Sequence, residues 1–221
     1  MMGRYAGISA GNWPLDGNSN DISGNANNGF NEANVSWVNG RYGQAGDFSG
    51  TASGIDLPNN ASLKPTVLTV SVWFKGTPTN GTFMENWFVN ASKFYGFLFD
   101  IDATFPRLVI SKGTGNTLGT DFEIAASPIA CNDDIWHMLT GTFDGNNIKF
   151  YFDGVLVDTQ SYAATLTYAA TQYPMIGIRQ DTYQSWSYPV DGILDELFLL
   201  PYVWTEQDVR RWYAYSKGLL V

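Results

Sequence analysis

The segment Asp16-Gly17-Asn18-Ser19-Asn20-Asp21 sets side-chain oxygens at alternating positions, the donor type that a hard cation such as Ca²⁺ prefers. It is not an EF-hand loop, because its sixth residue is Asp21 rather than glycine and its twelfth is Asn27, which lacks a bidentate carboxylate. Asp16 and Asp21 could equally close Asx-turns. Asp100-Ile101-Asp102 places two carboxylates on one face of an extended strand. Glycoside hydrolysis needs two such groups about 5–9 Å apart, but Ala103, Thr104 and Phe105 add no further acid, and a strand end is the favoured reading. The lone His137 and the lone Cys131 have no neighbouring soft ligands to complete a zinc site, so a satisfied strand histidine is expected. The remaining chemistry is aromatic. Trp87, Phe88, Phe94 and Tyr95 form one rich segment and Tyr183, Trp186 and Tyr188 another, with Asn86, Arg179, Gln180 and Asp181 nearby in sequence. Rings of this kind stack on sugar C–H faces while polar neighbours bond the hydroxyls, and they equally fill cores or subunit interfaces.

These residues need a scaffold, and composition bounds it. The chain has 221 residues, with 21 acidic and 12 basic side chains giving a net charge of −9, and charged and aromatic residues at 15% each. That excludes a highly charged disordered polymer. The length suits one all-β domain over residues 1–221. Without a basic stripe to displace counterions, nucleic acid is excluded as a partner. A single cysteine rules out an intramolecular disulfide. No signal peptide and no apolar run long enough to insert in a membrane is visible.

Turn residues recur about every ten positions, between short alternating runs, which is the spacing of an antiparallel sandwich. In residues 68–75, Leu68, Val70, Val72 and Phe74 share one face and Thr69, Ser71, Trp73 and Lys75 the other, predicting a strand with one core face. Ile148, Phe150 and Phe152 lead into Asp153-Gly154 and Val155-Leu156-Val157, a tight hairpin. Residues 95–101 and 107–111 read as a second hairpin with Pro106 in its loop, and 136–143 as a central strand. Thr205, with acids in the turn that follows, starts one short helix over about 205–217, with Trp212 and Tyr213 as packing anchors.

Taken in order, four segments resemble the laminin-G-like, concanavalin A-like jelly rolls, including the pentraxin-like modules. They are Trp13-Pro14-Leu15-Asp16-Gly17-Asn18 through Asp21-Ile22-Ser23-Gly24-Asn25; Gly43-Gln44-Ala45-Gly46-Asp47-Phe48-Ser49-Gly50 with Leu57-Pro58 and Val70-Ser71-Val72-Trp73; Trp136-His137, Gly141-Thr142-Phe143-Asp144-Gly145 and Phe152-Asp153-Gly154; and Asp191-Gly192-Ile193-Leu194-Asp195-Glu196-Leu197. The likeness runs from about residue 8 to residue 218. It implies an all-β fold, a two-sheet antiparallel jelly-roll sandwich with one short C-terminal helix. It also implies, as in some relatives, a structural Ca²⁺ joining the N-terminal loop (Asp16, Asp21) to Asp195. The alternative partners for a carboxylate buried there are arginine and backbone amides. Retaining hydrolases of this fold carry Glu-x-Asp-x-x-Glu on one strand, and no such run occurs here. The expected function is non-catalytic recognition, foremost of carbohydrate, through Trp87, Tyr95, Arg179, Tyr183, Trp186 and Tyr188 on rim loops or the concave sheet. Two alternatives stay open: a structural or adhesive virion component such as a decoration, fibre or tail protein, and, more weakly, a glycoside hydrolase. The expected partner is a glycan or a cell-surface or virion component, in an extracellular or virion-associated setting, with homo-oligomerisation left open.

Overall fold

Alternating apolar residues make strands here because each strand can bury one face between two sheets. The computed structural model describes residues 9–90, 92–180 and 186–218, with the side chains of Asn31, Gln180 and Trp186 outside that description. In chain order the strands are β1 (Gly11–Trp13), β2 (Asn31–Ala33), β3 (Val35–Asn39), β4 (Gln44–Ser49), β5 (Gly54–Asp56), β6 (Leu68–Gly76), β7 (Gly81–Asn90), β8 (Lys93–Asp102) and β9 (Phe105–Lys112). They continue with β10 (Phe122–Ala126), β11 (His137–Phe143), β12 (Asn147–Phe152), β13 (Val155–Ser161), β14 (Met175–Ile176), β15 (Arg179–Gln180), β16 (Trp186–Ser187) and β17 (Asp191–Leu200), before the helix α1 (Glu206–Ser216).

One sheet has the order β13-β12-β11-β6-β17-β4-β3, with β1 also on β17, and the other β10-β9-β8-β7-β14-β5-β2. Every named strand pairing is antiparallel. The expected jelly-roll sandwich with one C-terminal helix is therefore the fold. Between the sheets lies the main core, with Leu68, Val70, Val72 and Phe74 of β6 meeting Phe97 and Phe99 of β8.

Three details differ from expectation. The second face of β6 is also buried: Thr69, Ser71 and Trp73 are at most 2% exposed. The cause is α1, whose Tyr213 stacks on Trp73 at 5.8 Å while Trp212 meets Phe198 edge-on at 5.8 Å. The β8–β9 connection is a two-residue turn, Ala103-Thr104, with φ of 48° and 78°, and Pro106 lies inside β9 opposite Ile101. The aromatic segment around Trp87 continues β7 and β8 rather than forming loops. The Asp153-Gly154 hairpin turn is as expected, with φ of 49° and 80°. Thr205 caps α1 through a reciprocal box with Asp208.

Candidate functional site

The antiparallel register of the β8–β9 hairpin decides which charges meet on the outer face of the seven-stranded sheet. Phe99 and Ile101 point into the core, so Asp100 and Asp102 point outward, and Asp100 stands opposite Arg107. Arg107 donates from Nε to Asp100 Oδ1 at 2.8 Å, from Nη2 to Asp100 Oδ2 at 3.1 Å and from Nη1 to Asp102 Oδ2 at 2.6 Å. This is a bidentate ion pair with a second carboxylate attached. Burial pushes the Asp100 carboxyl's pKa up, while the hydrogen bonds and charge of Arg107 pull it down. The strained turn just beyond is pinned: Ala103 N donates to Asn80 Oδ1 at 3.2 Å and Thr104 N to Thr79 O at 2.8 Å.

On the other side of Asp100 lies Thr82 of β7, whose N–H donates to Tyr188 O at 3.0 Å and whose buried hydroxyl has no partner. Tyr188 is 52% exposed and holds φ of 53°, an uncommon backbone state for an aromatic residue. Arg179 of β15 lies over its ring at 4.0 Å. The Arg179 charge also reaches Asp100. The result is a rim where an open ring, a guanidinium and a preassembled ion pair lie together. Such a set can stack on a sugar and bond its hydroxyls. Asp100 and Asp102 here are held in an ion pair, not set apart as an acid–base couple.

The six expected ligand residues do not form one site. Trp87 is 4% exposed, packed with Leu98 and Val109 and tilted against Phe94 at 5.2 Å, so it is a packing residue and the expectation of an exposed ring is corrected. It stands five residues along β7 from Thr82, roughly 17 Å at ~3.3 Å per residue. Tyr95 shares that far end, half-buried beside Phe88 at 6.1 Å. Tyr183 lies outside the described residues, and for Trp186 only its backbone place in β16, opposite Gln180, is described. Arg179 and Tyr188 do come together. Asp100, Asp102 and Arg107 complete the rim. The Asp-x-Asp spacing marks the two carboxylates, whereas setting Arg107 against Asp100 needs the position of the turn.

The carboxylates expected to hold Ca²⁺ lie in two places, the N-terminal loop and β17. Asp21 Oδ1 accepts from Asn12 N (2.9 Å) and Ser23 N (2.8 Å), and its Oδ2 from Ser23 Oγ (2.7 Å) and Asn27 N (2.9 Å). It organises its own loop. Asp16 Oδ1 accepts from Gln44 N at 2.8 Å. Asp195 lies where β17 changes edge partner from β4 to β1, and its Oδ2 accepts from Tyr42 N at 2.9 Å. Asp195 Oδ1 and Glu196 Oε2 are buried without partners. Burial is the main reason that both pKa values rise to about 7, with Asp195 and Asp16 adding to the rise at Glu196. Among the described residues no three His, Cys, Asp or Glu side chains are set to hold a metal ion. Asp21 thus spends its oxygens on its own loop, while the charge of Asp16 reaches both Asp195 and Glu196. His137, for its part, is flanked by Asp153 Oδ2 at 3.0 Å and Asp133 Oδ1 at 3.2 Å, the satisfied strand histidine expected.

A laminin G family model, described as the concanavalin A-like lectin/glucanases superfamily, matches residues 49–210. No curated protein matches the chain in sequence. Among solved structures, the binding domain of Paraclostridial Mosquitocidal Protein 1 is similar at a TM-score of 0.74 and 13% identity, over 96% of this chain and 53% of that one. Domain 4 of AbnA, a GH43 extracellular arabinanase from Geobacillus stearothermophilus solved with arabinotriose, matches at 0.69 and 18%, over 92% and 97%. The binding domain of Botulinum Neurotoxin DC in complex with SialylT matches at 0.68 and 12%, over 95% and 52%. The chain thus spans about half the length of these toxin domains and nearly all of the arabinanase domain. At such identities the likeness is one of fold. The matched segment covers most of the strands of the two-sheet jelly roll, and the chain belongs to the concanavalin A-like lectin/glucanase superfamily.

Proposed function

We propose that this chain is a non-catalytic recognition module that binds carbohydrate at the rim built from Arg179, Tyr188, Asp100, Asp102 and Arg107. One observation carries the reading. Tyr188 is held half-open in a costly backbone state, with a guanidinium on its ring and a prepaired ion network beside it. A ring facing water needs no such support for packing, whereas a stacking surface gains from being fixed before the ligand arrives. Arg179 has N–H donors for ring hydroxyls, and Asp102, 51% exposed, is an acceptor. The fold neighbours support this: the arabinanase domain was solved with arabinotriose and the toxin domain with SialylT. The reading places the module where glycans are displayed, on a cell surface or particle exterior.

The test is a glycan array with the purified chain, followed by titration calorimetry on each hit. Tyr188→Ala and Arg179→Ala should each weaken a hit at least tenfold while the melting temperature falls by no more than about 4 °C, as expected of an exposed and a half-buried position. A wild-type chain that binds no glycan yet forms a defined oligomer would support the virion-component reading instead. Turnover of a polysaccharide would revive the hydrolase.

A further inference from the structure

A second open ring stands beside the rim, on the side away from Tyr188. Phe105 begins β9, is 40% exposed and lies opposite Asp102 across the Ala103-Thr104 turn. Leu108 and Ile110 of the same strand face the core, so Phe105 shares the outer face with Arg107. Arg107 in turn bonds Asp102, which sets a guanidinium and an exposed carboxylate between Phe105 and the Tyr188 side of the rim. From this arrangement we infer that Phe105 is a second stacking residue of the same site, and that the ligand is a neutral oligosaccharide running from Tyr188 over Arg179, Arg107 and Asp102 to Phe105. The inference rests on the carbohydrate reading above and adds the ligand's length and charge class.

The turn beside Phe105 is costly to hold. Ala103 and Thr104 have φ of 48° and 78°, a state that a β-branched residue avoids and that an Asn-Gly pair reaches readily. Three bonds keep it: Ala103 N donates to Asn80 Oδ1 at 3.2 Å, Thr104 N donates to Thr79 O at 2.8 Å, and Thr104 O accepts from Cys131 N at 3.2 Å. Strain of this kind persists where the surroundings over-determine it, and it clusters at ligand sites. Here it fixes the ring opposite an acceptor that Arg107 holds from the other side, so both are set before a ligand arrives. The two rings are also well separated. Tyr188 lies along β7 through its bond with Thr82, and β8 and β9 follow in order, which puts the backbones of Tyr188 and Phe105 three strand spacings apart, roughly 14 Å. A single sugar cannot touch both.

The groups between the rings select the occupant. Arg179 and Arg107 face Asp100 and Asp102, two guanidiniums against two carboxylates, so the charges described at the site cancel. Asp100, 6% exposed, spends both oxygens on Arg107 and leaves the outward contact to Asp102, which is 51% exposed. Asp102 disfavours an anionic ligand and Arg179 a cationic one. Hydroxyls meet neither penalty, because they donate to the carboxylate and accept from the guanidiniums. A protein interface gathers its rings at the centre and its charges at the edge. This site has the reverse order, with charges in the middle and a ring at each end, which suits a chain of sugars that stacks at its ends and is hydrogen-bonded between them.

Calorimetry with arabino-, xylo-, cello- and manno-oligosaccharides of one to six residues, and with oligogalacturonides as the acidic series, tests this on the whole chain and on Phe105→Ala, Phe105→Leu, Phe105→Tyr and Tyr188→Ala. Wild-type affinity in at least one neutral series should rise with length and level off once the oligosaccharide bridges the rings. Phe105→Ala and Phe105→Leu should each weaken the longest member at least tenfold and leave the shortest one that binds within about twofold, whereas Tyr188→Ala should weaken every length. Phe105→Tyr should stay within about threefold of the wild type, since a flat ring does the stacking. Phe105→Leu keeps an apolar side chain at the turn, so wild-type binding in this variant makes Phe105 a packing residue and overturns the inference. Binding lost in Tyr188→Ala but unchanged at all lengths in Phe105→Ala overturns it too and keeps the carbohydrate reading, as does an affinity that does not rise with length. Tighter binding of oligogalacturonides than of every neutral series overturns the charge class. Binding of no saccharide by the wild-type chain overturns both readings. A mass that falls by half in Phe105→Ala, read by light scattering, makes the ring a contact between copies and overturns the inference.

Discussion

The two sheets follow the same alternation, yet their outer faces end in opposite states. On the eight-stranded sheet, Trp73, Met138, Tyr151 and Phe198 point outward and are buried, because α1 and the segment before it bring Trp204, Val209 and Trp212 onto them. On the seven-stranded sheet no α-helix arrives among the described residues. Its outer face carries a small cluster of Trp87, Leu98 and Val109 at one end and the Asp100–Arg107–Asp102 network at the other, with open rings at the margins. One face is a second core, and the other combines local packing with unspent recognition chemistry. The lesson is that an outward apolar residue on a strand has no meaning until the rest of the chain is placed over it or left off it.

The largest way to break this contrast is to strip the covered face. Trp212 is 7% exposed and wedged among Phe198, Trp204 and Tyr215. Trp212→Ala should destabilise the protein by about 3–4 kcal/mol in urea titration, roughly 10 °C in Tm, through lost transfer energy and the cavity left behind. Saccharide affinity of the folded fraction should not change, because the two faces share no residues. The open face should answer in reverse order. Arg107→Leu leaves Asp100 buried without its guanidinium, a loss of about 2–3 kcal/mol. It should also abolish binding at the rim, since Asp100 and Asp102 lose the guanidinium that holds them. A variant that is equally destabilised but still binds would separate the ion pair from recognition and make it purely structural.

The covered face was more legible in the sequence than the open one, for a physical reason. Thr205 with Asp208, followed by Val209 and Trp212, announces both a helix and the face it buries, since capping and periodicity are local signals. Asp153-Gly154 likewise declares its turn. Ala103-Thr104 declares nothing: neither residue favours positive φ, and both are held there by Asn80 and Thr79 more than twenty positions away. With the turn hidden, the register that sets Arg107 against Asp100 was hidden too. Trp87 misled for the opposite reason, because aromatic density is shared by binding loops and buried strands and only the β7–β8 register tells them apart. At Asp21 the Ser23 donors close the Asx-turn that the sequence offered, whereas the amides of Asn12 and Asn27 come from farther along the chain, where no side-chain pattern displays them.

A third effect is the pH response, and it sharpens the contrast because it belongs to the covered sheet. Burial lifts Asp195 and Glu196 to about 7, far above their unfolded values, so the native state favours their protonated forms. For carboxyls raised in this way, stability is fully present below the unfolded pKa and is lost as pH rises through the folded one. In chelator, Tm should rise on going from pH 8 to pH 5, by about 5 °C. Asp195→Asn should flatten most of that rise. Asp121, lowered by the Thr114 hydroxyl and then the Thr117 N–H, stays ionised across this window and does not mask the effect. If calcium, added at pH 8, instead raises Tm and Asp195→Asn abolishes the rise, the pair takes a cation in preference to a proton.

The smallest effect tests whether the ends of the eight-stranded sheet add to that response. Burial pulls the His137 pKa down, but the hydrogen bond and charge of Asp153, then those of Asp133, raise it above the ordinary histidine value. Its imidazolium bridges the start of β11 to the β12–β13 turn, where Asp153 Oδ1 also accepts from Met138 N at 2.9 Å. A raised histidine contributes stability below its unfolded pKa and loses it as pH rises through the folded one, the same sign as Asp195 and Glu196. The two can be separated because they titrate independently. His137→Asn should cost less than about 1 kcal/mol at pH 6, as expected of a partly exposed ion pair, and almost nothing at pH 8.5. The Asp195→Asn chain should keep this smaller dependence, and a double variant should retain only the slope of Glu196, which burial still holds high. A slope that survives the further replacement Glu196→Gln would mean that another titrating group contributes.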